Sequence, residues 1–164
     1  MKDKKIMIIS SLVILLLITF ITVMIIIPKD KILENEGFKI KVPSNFSIKK
    51  STNLHTYIYS KDVKIGVRKD KLSNIKDEVI NEQSSLQEYA SRIARINEIN
   101  VKELYKLEKT NYIYYTYYKN NYIYISLFAK EAGAFWNVYF IEKEENKDEL
   151  FENFKKWGKT IKFN

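Results

Sequence analysis

The polarity pattern of the chain falls into two unequal parts. Residues Ile6 to Ile27 (IMIISSLVILLLITFITVMIII) are 22 positions without a charge, a proline or a glycine. A helix rises about 1.5 Å per residue and crosses the ~30 Å hydrocarbon core of a bilayer in about 20 residues, so this run predicts a transmembrane helix. A cleavable signal would carry a shorter apolar stretch of about 7–15 residues ending in small residues. This one ends Val23-Met24-Ile25-Ile26-Ile27-Pro28, which reads as an uncleaved signal anchor. Lys2, Lys4 and Lys5 precede the run, whereas Asp30 offsets Lys29 and Lys31 after it. Positive charge stays on the cytoplasmic side. The expected layout is a cytoplasmic tail (1–5), the anchor (6–27), a short charged linker (28–36) and an extracytoplasmic domain (37–164).

Beyond the linker the pattern alternates. Gly37 to Val42 has the period of a half-buried strand, and Pro43-Ser44-Asn45 is a turn cluster. Phe46-Ser47-Ile48 is extended. Thr56 to Ser60 and Val63 to Arg68 predict a hairpin around Lys61-Asp62, and Lys69 to Gln83 reads as a loop. Ser85 and Glu88 have the spacing of a capping box, in which each side chain satisfies the other residue's backbone N–H. Leu86, Tyr89, Ala90, Ile93 and Ala94 then form one apolar helical face, predicting a helix to about Glu98.

Val101 to Leu107 is a weaker extended stretch. Tyr112 to Lys119 and Tyr122 to Lys130 are strands joined by Asn120-Asn121, a pair suited to the left-handed backbone of a two-residue hairpin. Facing positions then sum to 241. One face carries Tyr112, Tyr114, Thr116, Tyr118, Ile123, Ile125 and Leu127; the other carries Ile113, Tyr115, Tyr117, Tyr122, Tyr124, Ser126 and Phe128. Ala134 to Glu142 pairs next, after a turn containing Gly133. Both faces are apolar or aromatic, so both need cover. A second helix supplies it: Asn146 and Glu149 mark its start, Leu150, Phe151, Phe154 and Trp157 its apolar face, and Gly158 its stop. Thr160 to Phe163 returns as a short strand. The expected fold class is α/β (α+β): a single N-terminal transmembrane helix followed by a three-layer α/β/α sandwich with a central antiparallel sheet.

This order of elements resembles the Mog1/PsbP-like family. The resemblance is carried by Val42-Pro43-Ser44-Asn45-Phe46, by Ser85-Leu86-Gln87-Glu88-Tyr89-Ala90, by the aromatic hairpins and by the ending Leu150…Phe154…Trp157…Thr160-Ile161-Lys162-Phe163, over about residues 37–163. It implies the fold and a non-catalytic, accessory or partner-binding habit, with no shared catalytic residues to transfer. Many bacterial relatives are lipoproteins; this chain lacks the cysteine that lipidation needs.

Composition adds context. The chain has no Cys, so no disulfides. It has 25 Lys, 24 Ile and 14 Asn but 3 Arg, the usage of an AT-rich genome, and we expect a Gram-positive bacterium. The net charge is +8, of which residues 1–5 contribute +2. The outer domain's excess reads as a solvated lysine-rich surface, or as attraction to anionic lipid or wall polymer. No nucleic-acid motif is present.

Catalytic chemistry is not evident. His55 is the one histidine, without a carboxylate pair or Cys beside it. The four glycines are scattered, so there is no phosphate-cradling loop. Glu142, Glu144 and Glu145 form a charge run at a strand end and read as solvated. No catalytic, metal or cofactor residue is assigned. The unusual feature is the tyrosine stretch: 7 of the 12 tyrosines lie between positions 112 and 124. Tyrosine suits both strands and recognition surfaces. The expectation is a non-enzymatic, membrane-anchored module that binds another envelope or secreted protein, with Tyr115, Tyr117, Tyr122 and Tyr124 as candidate partner-binding residues. The alternatives are a wall-acting hydrolase and a purely structural envelope subunit.

Overall fold

A computed structural model describes residues 15–17, 29–51, 54–75 and 79–164. The predicted anchor lies outside the described residues except for 15–17, which are helical. Among the described residues no helix is long and apolar enough to cross a membrane. The chain divides into two units, residues 1–30 and 31–164.

The second unit is a mixed α/β structure dominated by antiparallel sheet. Its strands are β1 (Asp30–Asn35), β2 (Phe38–Pro43), β3 (Ser47–Lys49), β4 (Thr56–Tyr59), β5 (Lys64–Lys71), β6 (Tyr105–Lys106), β7 (Ile113–Lys119), β8 (Tyr122–Glu131), β9 (Ala134–Lys143) and β10 (Lys162–Phe163); its helices are α1 (Leu86–Ile96) and α2 (Lys147–Gly158). Seven strands form one sheet in the order β3-β4-β5-β9-β8-β7-β6, and β1-β2-β10 form a second, smaller one.

The predicted hairpin register holds. Tyr118 faces Ile123, Thr116 faces Ile125 and Tyr114 faces Leu127. Asn120 and Asn121 both have positive φ (53° and 63°), which matches the right-handed twist of the flanking strands. On one face of the large sheet, Ile65, Val67, Ile125, Leu127, Val138 and Phe140 pack with Leu150, Phe154 and Trp157 of α2 and with Phe38, Ile40 and Val42 of β2. On the other, Ile113, Tyr115, Phe128 and Phe135 pack under Tyr89, Ala90, Ile93 and Ala94 of α1. The helices therefore cover opposite faces.

Several expectations are corrected. The segment 28–36 is no simple linker: β1 occupies most of it. The strands expected at 37–42 and 160–163 do not join the large sheet but pair with each other as β2 and β10. The stretch 69–83 is not all loop, because β5 continues to Lys71 and a 3-10 turn follows over Leu72–Asn74. Of 101–107 only Tyr105 and Lys106 are strand. Gly158 is the last helical residue rather than the stop beyond the helix. A Cβ there would stand 3.0 Å from Leu107 Cδ2, so glycine permits close packing of the helix end. Asn146 makes no side-chain cap bond; its Nδ2 donates instead to Glu142 Oε1 at 2.8 Å. Glu142 is not solvated. It is 3% exposed, because strand alternation turns it to the α2 face while Lys143 points away.

Candidate functional site

Strand alternation and register place Tyr115, Tyr117, Tyr122 and Tyr124 on one face of the large sheet, the face that α1 covers. Their environments differ. Tyr115 is 1% exposed and belongs to the core beneath α1. Tyr117, Tyr122 and Tyr124 are half-buried.

The difference arises from where α1 lands. At its first turn the capping box forms, with Glu88 N donating to Ser85 Oγ at 3.2 Å and Ser85 N to Glu88 Oε2 at 2.6 Å. Tyr89 then pins the helix to β5: its hydroxyl donates to Asp70 Oδ2 at 2.6 Å. Arg68 Nε donates to both Asp70 oxygens at 3.1 and 3.0 Å. Lys130 of β8 ties the incoming loop by donating to the carbonyls of Glu82 and Ser84 at 2.6 and 2.9 Å. These bonds hold α1 over the Phe135 and Phe128 end of the sheet.

The other half of that face has no helix above it. It carries Tyr57 and Tyr59 of β4, Tyr139 and Ile141 of β9, Tyr122 and Tyr124 of β8 and Tyr117 of β7. All are half-buried except Tyr59, which is exposed. They form a continuous surface because β5 joins β4 to β9, with Tyr57 opposite Gly66 and Gly66 opposite Tyr139. Tyr117 and Tyr124 stack with centroids 4.7 Å apart, and Tyr57 and Tyr59 stack at 6.1 Å. Lys64 Nζ lies 5.9 Å from the Tyr122 ring centroid. Burial pushes the phenols of Tyr117 and Tyr139 above their ordinary range, so both present neutral hydroxyls at physiological pH. The hairpin pattern singled out only part of this surface. Tyr57, Tyr59 and Tyr139 join it through the β4-β5-β9 order, which the linear sequence does not display.

Two other places hold concentrated polar groups. A cleft of about 680 Å³ between β5 and α1 is walled by Arg68, Asp70, Tyr89 and Arg92. The Asp70 carboxylate in it is already matched by Arg68 and Tyr89, an arrangement suited to fastening the helix. His55 lies beside Trp136, edge to face at 5.4 Å, with Nε2 3.1 Å from the Glu36 carbonyl and Nδ1 3.6 Å from its carboxylate. These contacts orient the ring against the core. Among the described residues no group of three or more His, Cys, Asp or Glu side chains could hold a metal ion.

No protein-family model matches the sequence, and neither does any curated protein. Among solved structures, the chain is similar to cyanobacterial PsbP (CyanoP) from Synechocystis sp. PCC 6803, with a TM-score of 0.60 at 11% identity over 84% of this chain and 94% of that one. At that identity the likeness concerns architecture alone: the chain has a PsbP-like fold.

Proposed function

We propose that this is a non-catalytic accessory module of a bacterial cell envelope, Gram-positive by its codon-biased composition. Residues 6–27 anchor it with the amino terminus inside, and it binds an envelope or secreted protein through the open half of its sheet. The observation that carries the reading is the partly exposed surface of Tyr57, Tyr59, Tyr117, Tyr122, Tyr124, Tyr139 and Ile141, which no helix covers. Burying tyrosine costs little side-chain entropy and leaves a hydroxyl to bond, which is why tyrosine is enriched at protein interfaces. The PsbP-like fold is compatible with an accessory role, and the sequence offers no set of catalytic groups.

Two experiments test the two halves of this proposal. The chain has no cysteine, so a single Lys147→Cys change creates one thiol on α2. In intact cells this thiol should react with a membrane-impermeant maleimide; protection until lysis would contradict the orientation. Full-length protein should then be purified from its own membranes with and without Tyr117→Ser and Tyr124→Ser. A partner retained by the unchanged protein and lost from the folded double variant is the expected result. Equal recovery with both would contradict the assignment of the face.

A further inference from the structure

The open half-face has a charge pattern as distinctive as its aromatic one. By strand alternation, the charged side chains that the sheet itself presents there are Lys49 of β3, Lys64 of β5, Lys119 of β7 and Lys143 of β9, all exposed. None is acidic. Lys143 is 3.5 Å from Glu145; among the described residues no carboxylate bridges Lys49, Lys64 or Lys119. The bordering segment 98–104 brings Glu98, Lys102 and Glu103 beside Tyr117 and Lys119; the Glu103 carboxylate is engaged with the Tyr105 hydroxyl. Lys49, Lys119 and Lys143 stand at the margin of the tyrosines, and Lys64 sits in the row between Tyr59 and Ile141. From β3 to β7 the surface crosses five strand spacings, about 24 Å at ~4.8 Å each.

We infer that the partner presents an acidic protein segment, which lies across the tyrosines and meets the lysine rim with its carboxylates. This rests on the protein-binding reading above. An aromatic centre with a charged rim is the anatomy of a protein interface, and a broad open face is unlike the enclosed cavities that hold small molecules. A second copy of this chain is a poor occupant, since face-to-face pairing would set lysine against lysine. Rim charges mainly steer encounter and set salt dependence, so affinity should fall as ionic strength rises.

The test uses full-length protein in neutral phosphatidylcholine nanodiscs, titrated with a fluorescein-labelled poly-L-glutamate peptide at low salt. Two variants carry the same change in net charge: Lys64→Glu with Lys119→Glu on the face, and Lys147→Glu with Lys156→Glu on the outer side of α2. The expected result is at least a tenfold loss of affinity for the first pair and less than twofold for the second. Equal losses would mean that net charge alone attracts the peptide, and would overturn the inference. Tighter binding of a poly(glycerol phosphate) chain would overturn it in favour of a phosphodiester polymer. Co-purification separates this failure from failure of the underlying reading. A partner lost on changing Tyr117 and Tyr124 but kept after lysine reversal leaves the interface standing and removes its acidic occupant. A partner indifferent to both sets removes the interface itself.

Discussion

Tyr117 and Tyr124 stand directly opposite one another on β7 and β8, their rings nearly parallel at 10° with centroids 4.7 Å apart. Both are half-buried, whereas Ile123 and Ile125, which flank Tyr124 on β8 and point to the other side of the sheet, are fully buried. Such a pair contributes about 0.5–1.5 kcal/mol beyond the area it buries. Tyr117→Ala and Tyr124→Ala should each lower stability modestly, with a coupling of about that size in a double-mutant cycle. Chemical denaturation of the two single variants and the double variant measures it. Strict additivity would show that the stack contributes nothing to the fold.

The Tyr89 hydroxyl joins α1 to the Asp70 carboxylate, and Tyr89 is 3% exposed. Tyr89→Phe keeps the ring stacked on Phe135 at 4.4 Å and removes only the bond. Hydrogen bonds to charged groups contribute about 1.5–3 kcal/mol. The variant should be less stable by about that amount, with a lower denaturation midpoint, and amide exchange should accelerate first in residues 86–96. Unchanged exchange there would mean that apolar packing alone seats the helix.

Glu142 gives the chain a pH dependence. Burial, opposed by the bond from Asn146 and reinforced by Glu149 and Asp62, raises its carboxyl above the ordinary value of 4.5. The folded state therefore holds the proton more tightly than the unfolded chain. The stability this confers is fully present below that ordinary value and is lost as pH rises through the folded value. Glu142→Gln removes the ionisation. It should raise the melting temperature at pH 7, with the gap from the unchanged protein narrowing towards pH 4. A gap independent of pH would show that the carboxylate ionises freely.

Gly37 has φ +88°, and a Cβ there would fall on the Asn164 carbonyl. The Asn164 N–H donates to the Gly37 carbonyl at 2.7 Å, fastening the carboxyl end beside the β1–β2 turn. Gly37→Ala should destabilise by roughly 1–3 kcal/mol, from backbone strain and the displaced terminus. Thermal unfolding measures this; a stabilised variant would contradict the geometry.

Where local rules decide, the fold was legible. The period-two pattern and Asn120-Asn121 set the β7–β8 register, and Ser85 with Glu88 set the start of α1. Expectation failed where the deciding contact is distant. β1 reads as a charged linker because one of its faces is polar, and only pairing with β2 makes it a strand. Asn146 looked like a cap because sequence does not reveal that Glu142 turns inward to claim its amide. Half of the candidate surface was likewise hidden. Tyr57, Tyr59 and Tyr139 join the hairpin tyrosines only because β5 pairs with β9, and which half stays open depends on the bond from Tyr89 to Asp70, 19 positions earlier in the chain. Tyr115, grouped with its neighbours by alternation, lies on the covered side of that division.

If the open half of the sheet is a contact surface, a partner should lie against Tyr59 and Tyr124 and not against α2. The most direct measurement places a photo-crosslinking amino acid at Tyr59, at Tyr124 and, as a control, at Glu152 on α2, in full-length protein irradiated in its own membranes. Positions 59 and 124 should yield an adduct with the same protein, and position 152 none. Adducts from position 152 alone, or from none of the three, would contradict that placement.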